Sequence, residues 1–360
     1  MTAEIQRPPA ELRYADELAA LAAADKKLKR EAPPGWRLSA PAVVEFVLGN
    51  GKESSPKFVG ARSFVERCVV ALATNRGLML IGEPGTAKSL LSELLAAGIS
   101  GDTSLTIQGS AATTEDAIKY SWNYAMLLAQ GPSPRSLVPA PIHRGMTGGQ
   151  IVRFEEITRC APEVQDALLS ILSDRVLSIP ELDDAHRTVY AMRGFNVIAT
   201  ANTRDRGVNE MSAALKRRFN FETVGPIPDA QVEAALVQRE TDALLAAAGV
   251  PARLPQDFTR VLVEIFRDLR TGRSGKQGVE RLSSAMSTAE AVSTGVAAAL
   301  QAAWFGKGEP GGAELTSALV GSALKDEPED RSRLKTYYDA QMQASKNPLR
   351  QAAYQHRDLI

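Results

Sequence analysis

The chain has 360 residues, enough for two or three folded units, and its 44% hydrophobic and 23% charged residues suit a globular protein with a sizeable buried core. Lys+Arg and Asp+Glu both total 42, so no net basic field draws the whole molecule onto nucleic acid or anionic lipid. The two cysteines and three histidines lack CxxC or HExxH spacing, which argues against structural zinc, and no apolar stretch is long enough to span a bilayer.

The opening MTAEIQRPPA has no apolar h-region, so no secretory signal is expected and the protein is expected in the cytoplasm. Residues 10–30, AELRYADELAALAAADKKLKR, read as a helix with Leu18, Leu21 and Leu28 near one face, broken by EAPPGW. Ser39 is placed to cap a short helix, APAVVEFVLG, that stops at Gly49, and the polar NGKESSPK (50–57) reads as a linker. Residues 1–54 are thus expected to form a helical N-terminal extension.

Strands and helices then alternate over 55–225. SFVERCVVALATN is a helix with Cys68 as a small core residue; RGLMLIG is a buried strand, SLLSELLAAG a helix, SLTIQG a strand. An irregular stretch follows, in which YSWNY sets Tyr120, Trp122 and Tyr124 at alternate positions, the pattern of a strand's buried face. Strand GQIVRF, helix APEVQDALLSILSD and strand GFNVIATAN complete an α/β core with a parallel sheet covered by helices on both faces. From about residue 226 strand signals vanish. Helix-period segments, the last of them GVERLSSAMSTAEAVSTGVAAALQAAWFG, predict an all-helical domain over 226–325, followed by a charged helix and tail over 326–360.

Residues 82–89 run G-E-P-G-T-A-K-S between a buried strand and a helix, against the P-loop pattern G-x-x-x-x-G-K-[ST]. The expected nucleotide-binding set is Gly82, Glu83, Pro84, Gly85, Thr86, Ala87, Lys88, Ser89 and Leu90. Gly82 permits a sharp exit from the strand, and Gly85 lets backbone N–H groups close around a phosphate. Lys88 is expected at the β- and γ-phosphates of ATP, and Ser89 at Mg²⁺. Ala87 stands where the pattern has Gly, at a point where the backbone is expected to be entering the helix already.

The strand GQIVRF runs into two adjacent carboxylates, Glu155 and Glu156. Beside a P-loop, one acid holds Mg²⁺ through water and a second aligns the attacking water. Adjacent strand residues face opposite ways, so Glu155 is assigned to Mg²⁺ and Glu156 to the water. Glu155 is one methylene longer than the usual Asp. Arg153 inside the strand has no assigned role, with a pore- or partner-facing side as its open reading.

These motifs resemble the MoxR-type AAA+ ATPases, in the clade with an insertion in the second core helix. GEPGTAKS looks like their Walker A motif, in which Ala before Lys is common, and LVPAPIHRGMTGGQIVRFEEITR like their run into Walker B. VLSIPELDDAHRTVYAMRGFNVIATANT is similar to their β-hairpin and sensor 1, and GVNEMSAALKRRF to the segment ending in the arginine finger. The resemblance covers residues 55–225 and extends only in type to the helical lid domain. It implies sensor 1 at Asn202, the arginine finger at Arg218 with Arg217 as the alternative, sensor 2 at Arg281 with Arg270 and Arg273 close by, and Val59-Gly60 beside adenine. It also opens a second reading of YSWNY, as a pore-facing element that grips a partner.

The expected function is that of a ring-forming, hexameric ATPase that remodels a partner protein, by resemblance one with a von Willebrand factor A domain. A nucleic-acid motor and a slow or non-hydrolysing nucleotide switch are the competing readings. Zero net charge and the lack of a DNA-binding motif argue against the motor.

Overall fold

A computed structural model of the protein describes residues 6–202, 209–274 and 277–360. The segment 203–208, which contains the end of the sensor 1 motif and the start of GVNEM, lies outside them. The chain divides into two compact units, residues 1–82 with 87–224 and residues 83–86 with 225–360.

In the first unit, α1 (Ala10–Arg13) and α2 (Ala15–Leu28) are separated at Tyr14, so residues 10–30 are not one helix. The Tyr14 ring packs edge-on against Phe46, 5.9 Å between centroids. Helix α3 (Ala40–Leu48) starts at Ser39, whose hydroxyl accepts from the Ala42 amide, and stops at Gly49, as expected. Residues 50–57 differ from the expected linker. Asn50 Oδ1 accepts three backbone N–H groups, and the buried Lys57 ammonium reaches Glu17 and the carbonyls of Phe46 and Ser55. The charge of Lys57 is held there by aromatic faces at 4.7 and 4.5 Å, Tyr14 and Phe46.

Next come α4 (Arg62–Ala73), β1 (Gly77–Gly82), α5 (Lys88–Ser100) and β2 (Thr106–Gln108). The irregular stretch holds α6 (Glu115–Ile118), β3 (Tyr120–Trp122), α7 (Tyr124–Gln130), β4 (Leu137–Pro139) and α8 (Pro141–Gly148). Tyr120 and Trp122 pack against the core from β3, which pairs antiparallel with β4. Tyr124 does not share that strand face; it opens α7 and is 68% exposed. Strand β5 (Ile151–Glu155) follows, then α9 (Pro162–Asp166) and α10 (Leu169–Ser173), two short helices where one was expected. A hairpin of β6 (Val176–Ser178) and β7 (Thr188–Tyr190) precedes β8 (Asn196–Asn202), α11 (Ala213–Lys216) and β9 (Phe219–Thr223). The sequence reading missed β9, which pairs parallel with β1.

The main sheet has the order β2-β5-β8-β1-β9, and every pairing in it is parallel. Side-chain alternation assigns its two faces to two cores. Leu78, Leu80, Ile151 and Ile198 join Val43, Val65, Leu91 and Leu94 of the helices on one side. Met79, Val152, Phe154 and Val197 join Ile142, Met146 and Ile171 on the other. Residues of the expected N-terminal extension, among them Ala10, Leu21 and Phe46, belong to the first core. They are also tied to α5 through its buried Glu93, which accepts from Arg7, Arg13 and the Ala10 amide.

The second unit contains α12 (Ala230–Ala247), α13 (Gln256–Thr271), a two-residue hairpin of β10 (Arg273–Ser274) and β11 (Gln277–Gly278), α14 (Thr288–Phe305), α15 (Gly312–Ala323), α16 (Pro328–Tyr337) and α17 (Pro348–Tyr354). Residues 279–287 are not helical; α14 begins only at the capping box of Ser287 and Glu290. The last 35 positions do not stand apart as a helix and tail. Tyr337, Tyr338, Met342, Ala353 and Ile360 lie in one core with Val261, Phe266 and Ala298.

Asp330, fully buried, anchors this arrangement by accepting from the Ser283 amide and hydroxyl and from Arg333. Asp330→Ala removes the buried acceptor of the Ser283 amide and hydroxyl and one partner of Arg333, and should cost about 2 kcal/mol in urea denaturation. Asp330→Asn, which keeps an acceptor, should cost less than half of that.

Candidate functional site

The phosphate-loop sequence lies where β1 gives way to α5, at the carboxyl end of the parallel sheet, the end at which such sheets bind ligands. Gly85 has φ 74°. Ala87 has φ 66° and ψ 25°, so the backbone there is left-handed and has not entered the helix, contrary to expectation. A non-glycine residue in that region costs about 1–2 kcal/mol. Lys88 is buried and donates from Nζ to the Gly82 carbonyl at 3.1 Å. Thr86 Oγ1 donates to the Glu83 carbonyl at 2.9 Å. Leu90, the last of the expected nucleotide-binding set, is half-buried in the first turn of α5.

Glu155 ends β5 on the face shared by Ile151 and Arg153, which looks toward α5. It is 5% exposed, and its carboxylate accepts four side-chain donors. Oε2 takes the hydroxyls of Ser89 at 2.7 Å and Thr200 at 2.8 Å. Oε1 takes Ser92 Oγ at 2.6 Å and the Arg153 guanidinium at 2.9 Å. Burial pushes this carboxyl up. The Ser92 bond, the Arg153 charge and the bonds from Ser89 and Thr200 together outweigh burial and hold it below its ordinary value.

Glu156 diverges from Glu155 by another route than strand alternation. The strand ends at Glu155, and Glu156 has φ 55° and ψ 44°, a left-handed turn. Its amide donates to Thr200 Oγ1 at 2.9 Å, and its half-buried carboxylate pairs with Arg159 at 2.7 Å. Thr200 therefore bridges the two acids, taking the amide of one and bonding the side chain of the other. Strain of this kind persists where the surroundings over-determine it, and it gathers at functional positions.

Asn202 closes β8 in register with Gly82, so it lies beside the start of the phosphate loop. Gly82, Lys88, Ser89, Glu155, Glu156 and Asn202 thus gather at one end of the sheet. Arg218 does not join them. Its carbonyl accepts from the amide of Gly77, at the opposite end of β1, roughly 17 Å away along the strand. Its guanidinium donates to Ser173 Oγ and the Ala214 carbonyl, both at 2.9 Å, whereas Arg217 is exposed. Arg281 belongs to the second unit, exposed on the non-helical 279–287 stretch, and donates to the Thr271 carbonyl at 3.0 Å. The nearby Arg270 is committed to the fully buried Glu233 through both terminal guanidinium nitrogens.

Sequence reasoning missed Ser92 and Thr200 and left Arg153 unexplained. The signals were present. Ser92 follows Ser89 by three residues on a helix, hence on one face, and Arg153 shares strand parity with Glu155. Ala87→Gly should relieve the left-handed Ala and raise stability by about 1 kcal/mol in thermal or urea unfolding. An unchanged or lower midpoint would contradict the strain at this position.

The family model described as AAA domain (dynein-related subfamily) matches residues 77–219, and that described as YehL-like AAA+ ATPase C-terminal domain matches 231–360. Uncharacterized protein YehL of Escherichia coli is 54% identical over 357 residues, 98% of this chain and 97% of that protein. Chaperone MoxR1 of Mycobacterium tuberculosis and Protein MoxR of Paracoccus denitrificans are each 29% identical, over 58% and 51% of this chain; the chain spans about half, 52%, of the length of each. Among solved structures, NtrX from Brucella abortus in complex with ADP matches with TM-score 0.51 at 13% identity, covering 84% of this chain and 64% of that one, a likeness of fold. With a relative at 54% identity along nearly its whole length and AAA+ models on both parts, the chain belongs to the MoxR-type AAA+ ATPases, in their YehL-like group.

Proposed function

We propose that this MoxR-type AAA+ protein binds and hydrolyses Mg²⁺-ATP as a six-membered ring in the cytoplasm and uses the energy to remodel a partner protein. The observation that carries this reading is the junction of the phosphate loop with the acid pair, where Ser89 of α5 bonds Glu155 of β5 at 2.7 Å and Asn202 lies in register with Gly82. The phosphates of ATP would take the backbone amides of 83–89, with Lys88 exchanging its bond to the Gly82 carbonyl for the β- and γ-phosphates. Ser89 and Glu155 offer a hydroxyl and a carboxylate oxygen side by side, the hard-oxygen donors that suit Mg²⁺. Bound there, Mg²⁺ would neutralise charge on the phosphates. Glu156 would orient the attacking water and take its proton, which requires its carboxylate to leave Arg159. Asn202 would hold the same water. Arg281 would act as sensor 2.

Arg218 lies too far along β1 to serve its own loop, which suits a finger that acts on a neighbouring subunit. The remodelling role is suggested by the chaperone relative MoxR1 and by the motif resemblance. The same resemblance suggests a partner with a von Willebrand factor A domain. Among the described residues no helix is long and apolar enough to cross a membrane. A slow or non-hydrolysing switch is the second reading, favoured by the Arg153 guanidinium that already occupies Glu155.

Lys88→Ala should abolish binding of a fluorescent ATP analogue. Glu156→Gln should bind it normally while phosphate release falls by about 10²-fold or more. Normal binding by Lys88→Ala would sink the nucleotide reading, and parent-like turnover by Glu156→Gln would remove its assigned role. Tight binding without turnover by the parent, alone or with co-purifying protein, would favour the switch. Stimulation by DNA with a steep salt dependence would favour a nucleic-acid motor.

Arg218→Ala should bind ATP and hydrolyse it about 10³-fold more slowly. Mixing it with Lys88→Ala should restore part of the activity, because a mixed interface can pair an intact loop with an intact arginine. Recovery should rise with protein concentration. A mixture that co-assembles yet stays inactive would rule out action in trans and send the same test to Arg217.

A further inference from the structure

The Glu155 carboxylate, the proposed metal acid, already holds a cation. Arg153 lies two residues before it on the same face of β5, with its guanidinium side chain 11% exposed. Nη2 donates to Glu155 Oε1 at 2.9 Å and to the Ser89 carbonyl at 3.2 Å, and Nε to Ser92 Oγ at 3.0 Å. The arginine therefore spans the first turn of α5 and the end of β5, and it fills the carboxylate oxygen that Ser92 also reaches. The other oxygen faces Ser89 and Thr200. A carboxylate has about four lone-pair sites, and all four are taken. Its negative charge is also matched at hydrogen-bond distance by the Arg153 guanidinium.

We propose that Arg153 is the resident cation of this site, a positioning residue that cancels the charge of Glu155 so that a divalent cation is recruited only together with a nucleotide's phosphates. The inference rests on the ATPase reading and deepens it. With Arg153 in place, the pair presents a near-neutral surface, and a free divalent ion gains little from leaving its water shell. Once polyphosphate arrives, its charges supply the attraction that Glu155 alone does not. The longer Glu is part of the same arrangement. Its extra methylene lets the carboxylate reach Arg153 and Ser92 with one oxygen while keeping the other on Ser89. A shorter Asp would give up one side.

The test is divalent-ion binding to the full chain without nucleotide, with Mn²⁺ as the probe, read by the loss of free-ion electron paramagnetic resonance signal and by competition with Mg²⁺. The parent should bind Mn²⁺ weakly. Arg153→Gln, which keeps an amide donor and removes the charge, should bind it at least about tenfold more tightly. Arg153→Lys, which keeps the charge, should stay near the parent. Glu155→Asp, which leaves Arg153 untouched but draws the carboxylate away from it, should also tighten binding. Adding Glu155→Gln to Arg153→Gln should abolish the gain. Parent-like or weaker Mn²⁺ binding by both Arg153→Gln and Glu155→Asp would overturn the proposal, as would tightening by Arg153→Lys equal to that of the Gln variant. Fluorescent-nucleotide binding by the parent, measured separately, reports on the ATPase reading, so failure of one is distinct from failure of the other.

Discussion

The site depends on one buried carboxylate. Burial of Glu155 at 5% exposure works against its charge, and the four donors that outweigh burial come from three elements: Ser89 and Ser92 from α5, Thr200 from β8, and Arg153 from its own strand. Satisfying that one charge fixes the register of α5 against β5 and β8. It also places the first turn of α5 relative to the strand ends. Removing a donor loosens an inter-element joint as well as a hydrogen bond.

Two left-handed non-glycine residues frame this joint. Ala87 turns the loop into α5, and Glu156 turns the chain away from β5. Both sit within two residues of groups bonded to one another, Ser89 and Glu155, and Thr200 secures the Glu156 amide. The backbone strain is concentrated where the hydrogen-bond network is densest, which is what allows it to persist.

The α/β core and the helical second half were legible because hydrophobic period and turn residues reported them directly. The phosphate loop was legible because its chemistry fixes residue types at fixed spacing. Less visible was whatever depended on contact between distant segments. Strand β9, FNFET, has polar residues at Asn220 and Glu222 and reads as a strand only once β1 is beside it. Residues 279–287 carry helical periodicity, yet the Ser283 amide bonds Asp330, and the backbone stays irregular until the Ser287 cap. The polar residues 50–57 looked like a linker because nothing local reveals that Lys57 would be buried under two aromatic rings. Arg153 was conspicuous as a charge in an apolar strand, but its meaning required knowing that Ser92 and Glu155 share its face.

The attachment of the first helices to Glu93 has a genetic consequence. Glu93 lies on α5 one turn beyond Ser89, and its carboxylate is held by Arg7, Arg13 and the Ala10 amide. The helix that opens at the phosphate loop is thereby held by the sheet on one flank and by the start of the chain on another. Its buried face includes Leu91, Leu94 and Leu95. Substitutions among residues 7–13 can disturb the setting of that helix without touching the loop. A screen for loss of nucleotide binding should therefore recover alleles there as well as in GEPGTAKS, and such alleles would be suppressed by second-site changes on α5 rather than by changes among the acids.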